Sequence, residues 1–359
     1  MRAVIRRDRR LVCDDIPELV PAAGQVLVKT LACGICGSDL HALHHMEHMI
    51  TLSRRAGAPD NGFDPAADTV FGHEFCAEIL DHGPGSAKTL KAGTRVVSVP
   101  VTMHNGGVEG LGFSNRLPGG FAERMLLSEA LILEVPNGLP TDKAALTEPF
   151  AVGLHAVAKA RMEAKSIALV IGCGPVGLAV IAALKAAGHG PVIAADFSPR
   201  RRAAAERLGA DIVIDPARES PHDRWEELGV PKARGAQSMM RMMGTPIAQP
   251  VVFECVGSPG VLQALIEAAP AGAQIVVAGV CMETDKIEPS MAITKEIELS
   301  FVLGYSPEEF ATTLHRLAEG VIDVSGLVTG TVGLDGVAAA FTALGDPEAH
   351  VKILVRPDA

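Results

Sequence analysis

The chain has no excess of positive charge. Its 32 Lys and Arg stand against 42 Asp and Glu, a net charge of -10 at pH 7. That balance repels phosphate backbones and argues against nucleic acid as a partner. A paired cysteine framework is also missing. The seven cysteines are odd in number and irregularly spaced, so they read as free thiols or metal ligands of a reducing compartment, and the expected location is cytoplasmic. No apolar run follows the basic start Met1-Arg2-Ala3-Val4-Ile5-Arg6-Arg7, which reads as an amino-terminal strand and not as a secretory leader. One uncharged stretch, 167–184, reaches the length of a membrane span. Three glycines and Pro175 interrupt it, with a β-branched run before them and an Ala/Leu run after. Strand, turn and helix fit it better, and no membrane partner is expected. There is no fixed-period repeat and no low-complexity segment.

What is present fits two folded domains. The chain has 359 residues, of which 48% are hydrophobic and 21% charged, enough apolar material for substantial cores. Up to about residue 150 short strand signals recur: Gln25–Lys29, Arg95–Val99 and Ala130–Glu134, separated by Gly/Pro/Asp/Asn clusters. They predict an irregular β domain. From about Ala151 the pattern alternates. Apolar runs at 167–172, 192–196, 211–214, 251–256 and 274–279 are separated by helical stretches at 176–187, 199–209 and 260–269. Such alternation predicts an α/β fold with a doubly wound parallel sheet. The expected division is 1–151 with 295–359 as one domain and 152–294 as the other.

Gly172-Cys173-Gly174-Pro175-Val176-Gly177 matches G-x-G-x-x-G after an apolar strand and at the start of a helix, the context this dinucleotide pattern requires. The first glycine permits a tight turn, the second lets a pyrophosphate approach the backbone, and the third packs helix against strand. Asp196 ends the next strand, 24 residues after Gly172. A carboxylate there can bond ribose hydroxyls and repels a 2′-phosphate, favouring NAD over NADP. Arg200, Arg201 and Arg202 soften that preference, because a nearby arginine can hold a 2′-phosphate; a solvated helix face is the preferred reading of the three.

Three further boxes hold metal-ligand chemistry: Cys33-Gly34-Ile35-Cys36-Gly37-Ser38-Asp39-Leu40-His41, Gly72-His73-Glu74 and Thr147-Glu148-Pro149. Thiolate, imidazole and carboxylate are donors zinc accepts, and a catalytic site needs three of them plus an open position. With the glycine fingerprint and Phe253-Glu254-Cys255-Val256-Gly257, these ordered boxes resemble the zinc-dependent branch of the medium-chain dehydrogenase/reductase superfamily, of alcohol and sorbitol dehydrogenase type, along nearly the whole chain. The resemblance implies a GroES-like catalytic domain, a Rossmann NAD-binding domain and an active site in the cleft between them. It implies a small-molecule alcohol substrate, secondary alcohols or polyols being favoured, oxidised to a ketone or aldehyde with NAD. The subunits would assemble as a homodimer or homotetramer.

Carried over by residue, the resemblance makes Cys36 and His73 zinc ligands. Glu148 is the expected third ligand, standing where many alcohol dehydrogenases have cysteine, with Glu74 as its alternate. Asp39 would orient the ligand histidine, Ser38 would bond the reacting hydroxyl, and His41 would relay its proton. Gly172, Gly174, Pro175, Val176, Gly177, Asp196, Arg201, Val256, Gly279 and Val280 are the expected coenzyme contacts. Cys33 with Cys36 spells C-x-x-C, but no thioredoxin-like pattern surrounds the pair. His44, His45 and His48 share helical spacing with His41 and are read as a polar rim.

The sequence departs from the family in three places. No cysteine occurs between Cys76 and Cys173, so the stretch 101–120, with Met103-His104-Asn105-Gly106-Gly107, cannot hold a four-cysteine structural zinc. One catalytic zinc per subunit is expected. His73 follows Cys36 by 37 positions, an interval longer than the family's usual one; the extra residues 46–67 would form a pocket wall, a flap or a surface loop. Met239-Met240-Arg241-Met242-Met243 is expected in the core or at a subunit contact. A zinc-free quinone or enoyl reductase is the alternative within the fold, and a non-catalytic NAD-binding protein the alternative outside enzymes. The Cys36/His73 pair speaks against the first, and the relay residues against the second.

Overall fold

The structure is a computed structural model that describes residues 1–58, 62–104 and 107–359. Asn105, Gly106 and residues 59–61 of the long interval lie outside the described residues. The chain divides into two units, Met1–Glu148 with Phe310–Ala359, and Pro149–Glu309.

The first unit is built on the strand Gln25–Gly34, which pairs antiparallel with Glu74–His82, Arg124–Ser128 and Lys352–Val355. Its alternating pattern sends Val26, Val28 and Thr30 inward, as a half-buried strand requires. Val26 and Val28 meet Phe75, Ile79, Met125 and Ile353 in one apolar core. Burying each such side chain contributes about 1.5–3 kcal/mol. The carboxy-terminal strand Lys352–Val355 is therefore structural to the amino-terminal fold, and it brings Lys352 beside residues more than 270 positions earlier.

The irregular β domain also carries a long helix, Gly37–Arg55, with a kink at His45 (φ -120°, ψ 19°). It takes up the first ten residues of the 46–67 interval. Met46 and Phe63 are buried in the core, so that interval is packed into the unit at both places and is not simply a surface loop. Asn115 clamps its end, donating to Asp64 O and Asp68 O at 3.1 and 3.2 Å.

In the second unit six parallel strands lie in the order Ile212–Ile214, Val192–Ala195, Ile167–Ile171, Pro250–Glu254, Gln274–Val277, Glu298–Phe301. This is the expected doubly wound sheet. The helix Pro175–Ala186 is buried nearly all round, which explains its lack of a polar face. One expectation needs correction. The return to the first unit begins at Phe310 and not at 295, because Glu298–Phe301 adds a sixth strand to the parallel sheet. Of the two places expected for the methionine run, the core does not hold: the run ends the helix Arg234–Met242, where Met239, Met242 and Met243 are exposed. Gln237 is that helix's buried anchor, donating to Pro231 O and Ala271 O. Among the described residues no helix is long and apolar enough to cross a membrane.

Candidate active site and coenzyme turn

Cys36 occupies the cap position of the helix Gly37–Arg55, and its backbone N–H donates to Asp39 Oδ2 at 2.9 Å. That bond satisfies one of the free amides of the first turn and fixes Asp39, which is fully buried. The other oxygen of Asp39 lies 3.4 Å from His73 Nδ1. The opposite ring nitrogen, Nε2, lies 3.3 Å from Ser38 Oγ. Glu74 follows His73 on the strand paired with Gln25–Gly34, in register with Gly34. Its carboxylate fills the space a side chain at Gly34 would need, since a Cβ there would sit 2.0 Å from Glu74 Oε2.

Cys36, His73 and Glu74 each offer a donor atom, and the three atoms lie within 4.8 Å of one another. Among the described residues this is the group of three such donors that could hold a metal. Glu148 is not in it. Glu148 stands half-buried in the first turn of Thr147–Lys159, near enough to Lys352 for its charge to be felt there. His44, His45 and His48 are exposed and outside the group. His41 is half-buried; burial and then the neighbouring His45 lower its pKa.

The donors fit a divalent cation. Burial alone would lower the pKa of His73, but the charges of Asp39 and Cys36 outweigh it and hold the imidazole well above its usual value. A site that favours positive charge on a buried ring suits a metal ion as well. His73 Nδ1 and Asp39 Oδ1 also lack a hydrogen-bond partner despite full burial, an arrangement that a modest closing of their 3.4 Å gap would satisfy.

Two residues here carried no flag in the sequence. Lys352 Nζ, fully buried, reaches both oxygens of Glu74 at 2.8 and 2.5 Å and Ile35 O at 3.0 Å. Phe113 sets its ring 5.6 Å from that of His73 and 6.1 Å from Phe71. A lysine inside the apolar run Val351–Val355 was a usable signal for the first. Nothing local marked the second.

In the second unit the glycine turn is built from backbone. Gly172 takes φ +87°, and a Cβ on Gly177 would lie 1.8 Å from Gly172 O. At Gly174, the cap of the helix Pro175–Ala186, a Cβ would meet only Arg201 Nη1 at 3.9 Å. This open, amide-lined helix start fits a diphosphate. Val176 is half-buried beside it. Asp196 Oδ2 accepts from Cys173 N at 2.7 Å and Oδ1 from Ser198 N at 2.8 Å, so the carboxylate also ties its own strand end to the fingerprint turn. Arg201 Nη1 lies 3.9 Å from Asp196. Arg202 is engaged elsewhere, with Asp215 at 3.2 Å and the carbonyls of Asp196 and Phe197. Of the three arginines Arg200 is exposed, and Arg201 and Arg202 are half-buried. Val256, Gly279 and Val280 lie past the ends of the neighbouring strands, with both valines exposed.

Comparison with known proteins agrees with this geometry. Residues 22–137 match the alcohol dehydrogenase GroES-like domain, and residues 175–319 match the zinc-binding dehydrogenase family. The chain is 33% identical over 362 residues to (R,R)-butanediol dehydrogenase of Bacillus subtilis, covering 98% of each chain. It is 28% identical over 370 residues to sorbitol dehydrogenase of the same organism, covering 99% of this chain and 97% of the relative. The crystal structure of 2R,3R-butanediol dehydrogenase from Bacillus subtilis superposes with a TM-score of 0.78 at 31% identity, covering 99% of both. The chain belongs to the zinc-binding medium-chain dehydrogenases, as an NAD(P)-linked oxidoreductase of alcohols or polyols.

Proposed function

We propose that this chain oxidises a secondary alcohol carrying a neighbouring hydroxyl to the corresponding ketone, with NAD as acceptor. The observation that carries the reading is the convergence of Cys36, His73 and Glu74 within 4.8 Å, next to the Ser38 hydroxyl. The choice of a vicinal diol rests on the relatives, since 2,3-butanediol and sorbitol both carry adjacent hydroxyls.

Cys36, His73 and Glu74 would hold the zinc, with Glu148 as the reserve carboxylate, and a zinc ion bound there supplies a Lewis acid that acidifies an alcohol and polarises a carbonyl. Asp39 keeps the His73 ring oriented with Nε2 toward the donors. Ser38 accepts the hydrogen bond of the substrate hydroxyl, and His41, one helical turn further on, takes the proton. The lowered pKa of His41 keeps it neutral and able to accept near pH 7. Phe113 forms an apolar wall beside His73. In the second unit the glycine turn holds the coenzyme diphosphate, and Asp196 binds the adenosine ribose.

The test is metal analysis of the purified protein together with NADH formation from 2,3-butanediol, sorbitol and ethanol. The diols should exceed ethanol by about tenfold or more in kcat/KM. Cys36→Ser should lose its zinc and about a thousandfold in turnover. Unchanged zinc content in that variant, or a preference for ethanol, sinks the proposal. Sedimentation of the same sample should show a dimer or tetramer; a monomer counts against the expected assembly.

A further inference from the structure

Glu254 ends the central strand Pro250–Glu254 of the second unit and is 3% exposed. A buried carboxylate is costly unless its acceptor capacity is met. Here one oxygen, Oε1, accepts from two successive backbone amides, Val256 N at 2.7 Å and Gly257 N at 2.8 Å. The same residue's backbone carbonyl accepts from Ala278 N and Gly279 N, both at 2.9 Å. Its second carboxylate oxygen fills the gap over Gly279, where a Cβ would come within 2.5 Å of it. Gly257 in turn presses on Val280: a Cβ there would lie 2.6 Å from Val280 N. One residue thus ties together two turns: its carboxylate holds the turn after Glu254, and its backbone carbonyl holds the turn after Gln274–Val277, against which the second carboxylate oxygen packs.

These turns matter because of where they lie. In an open α/β sheet the ligand crosses the carboxyl ends of the strands at the point where strand order reverses. Here that point is between Ile167–Ile171 and Pro250–Glu254. Asp196 follows Val192–Ala195 on one side of it. The turns held by Glu254 lie on the other side and present the exposed valines Val256 and Val280. If Asp196 takes the adenosine ribose, the opposite side receives the nicotinamide half.

We propose that Glu254 is a positioning residue for the nicotinamide half of the coenzyme: its carboxylate bonds the 255–257 turn and packs against Gly279 of the 278–280 turn, so that Val256 and Val280 form the floor on which the nicotinamide riboside rests. This rests on the coenzyme reading given above. The carboxylate acts through the two turns and touches no reacting atom.

The experiment measures binding of NADH, by its fluorescence, and of ADP-ribose, by calorimetry, to the full-length protein and to Glu254→Ala and Glu254→Gln. ADP-ribose keeps the adenosine and diphosphate but lacks nicotinamide. In Glu254→Ala, NADH affinity should fall about tenfold or more, as expected for losing the shared acceptor of two backbone amides. ADP-ribose affinity should change less than about twofold. Glu254→Gln, whose side-chain oxygen can accept from both amides, should recover NADH affinity to within about threefold. Equal losses for both ligands would show a merely structural role and overturn the proposal, as would a glutamine variant as weak as the alanine one. Where the alanine variant fails to fold, the proposal rests on glutamine alone: a loss for NADH of about tenfold or more sinks it. Failure of the unsubstituted protein to bind ADP-ribose would refute the coenzyme reading itself, a result distinct from these.

Discussion

The two units build their sites from different materials. In the first, the chemistry is carried by buried charged side chains in two pairs, Asp39 with His73 and Glu74 with Lys352. In the second, the glycine turn is backbone, and side chains such as Asp196 and Glu254 serve it by accepting its amides. A charge-built site depends on pairing, because removing one partner leaves the other ionised in a poor solvent. A backbone-built site tolerates changes of charge but not of bulk, since one added methyl at Gly177 would fall within 1.8 Å of a carbonyl oxygen. The first should therefore be the more fragile to substitutions that alter charge alone.

The strongest test of that contrast is Lys352→Met. Methionine keeps the length and the apolar stem of lysine but removes the ammonium that reaches both oxygens of Glu74. Glu74 is then a buried carboxylate without its cation, and Ile35 O loses its donor. Breaking a buried pair from one side costs about 3–5 kcal/mol. Urea unfolding of the metal-free protein should show a loss of that order in the first unit, and added zinc should restore part of it by replacing the missing positive charge. A loss below about 1 kcal/mol would place the pair with ordinary surface bridges and remove the contrast.

The second unit has a buried titrating group of its own, away from the glycine turn. His222 Nδ1 accepts from the indole N–H of Trp225 at 3.2 Å. Burial, followed by the charge of Lys232, lowers its pKa from 6.5 to about 4. The folded state therefore binds this proton less readily than the unfolded state. The stability that comes from keeping the ring neutral is complete above pH 6.5 and drains away as pH falls from there toward 4. At pH 5 the loss should be about 2 kcal/mol. His222→Gln can still accept from the indole but does not titrate, so it should flatten the stability profile between pH 7 and 5. Trp225 is the chain's single tryptophan, so its fluorescence follows this unit. An unchanged slope in the glutamine variant would assign the acid sensitivity elsewhere.

The same difference in materials explains how much could be read in advance. The Rossmann sheet and its turn were legible because a parallel sheet buried on both faces needs apolar runs, and a pyrophosphate turn needs glycine at fixed offsets. The boundary at 295 was misplaced because Glu298–Phe301, an edge strand with a charged first residue, lacks the apolar signature of the inner strands. The expected preference for Glu148 over Glu74 could not be tested by pattern. Which carboxylate lies beside Cys36 and His73 follows from the pairing of Gly34 with Glu74 and from a lysine 278 residues away. Pairings at that separation leave no local trace. Composition left the methionine run between core and subunit contact; Gln237 takes the inward position of its short helix, and Met239, Met242 and Met243 stay outside.

The smallest expected effect concerns the carboxylate that bonds the coenzyme turn directly. Asp196 has two tasks: it accepts the amides of Cys173 and Ser198, and its negative charge opposes a 2′-phosphate on the adenosine ribose. Asp196→Asn separates them in part: asparagine loses the charge and keeps one acceptor oxygen, enough for one of the two amides. Were the charge incidental and the amide bonds the whole contribution, NAD and NADP would suffer alike. With the charge setting selectivity, kcat/KM for NAD should fall modestly while that for NADP rises, aided by Arg201 close by. The NAD/NADP ratio should shift toward NADP by about tenfold, or 1.4 kcal/mol. Steady-state rates with both coenzymes decide it. An unchanged ratio would mean that even this carboxylate serves the turn purely as an acceptor, making the second site a backbone structure throughout.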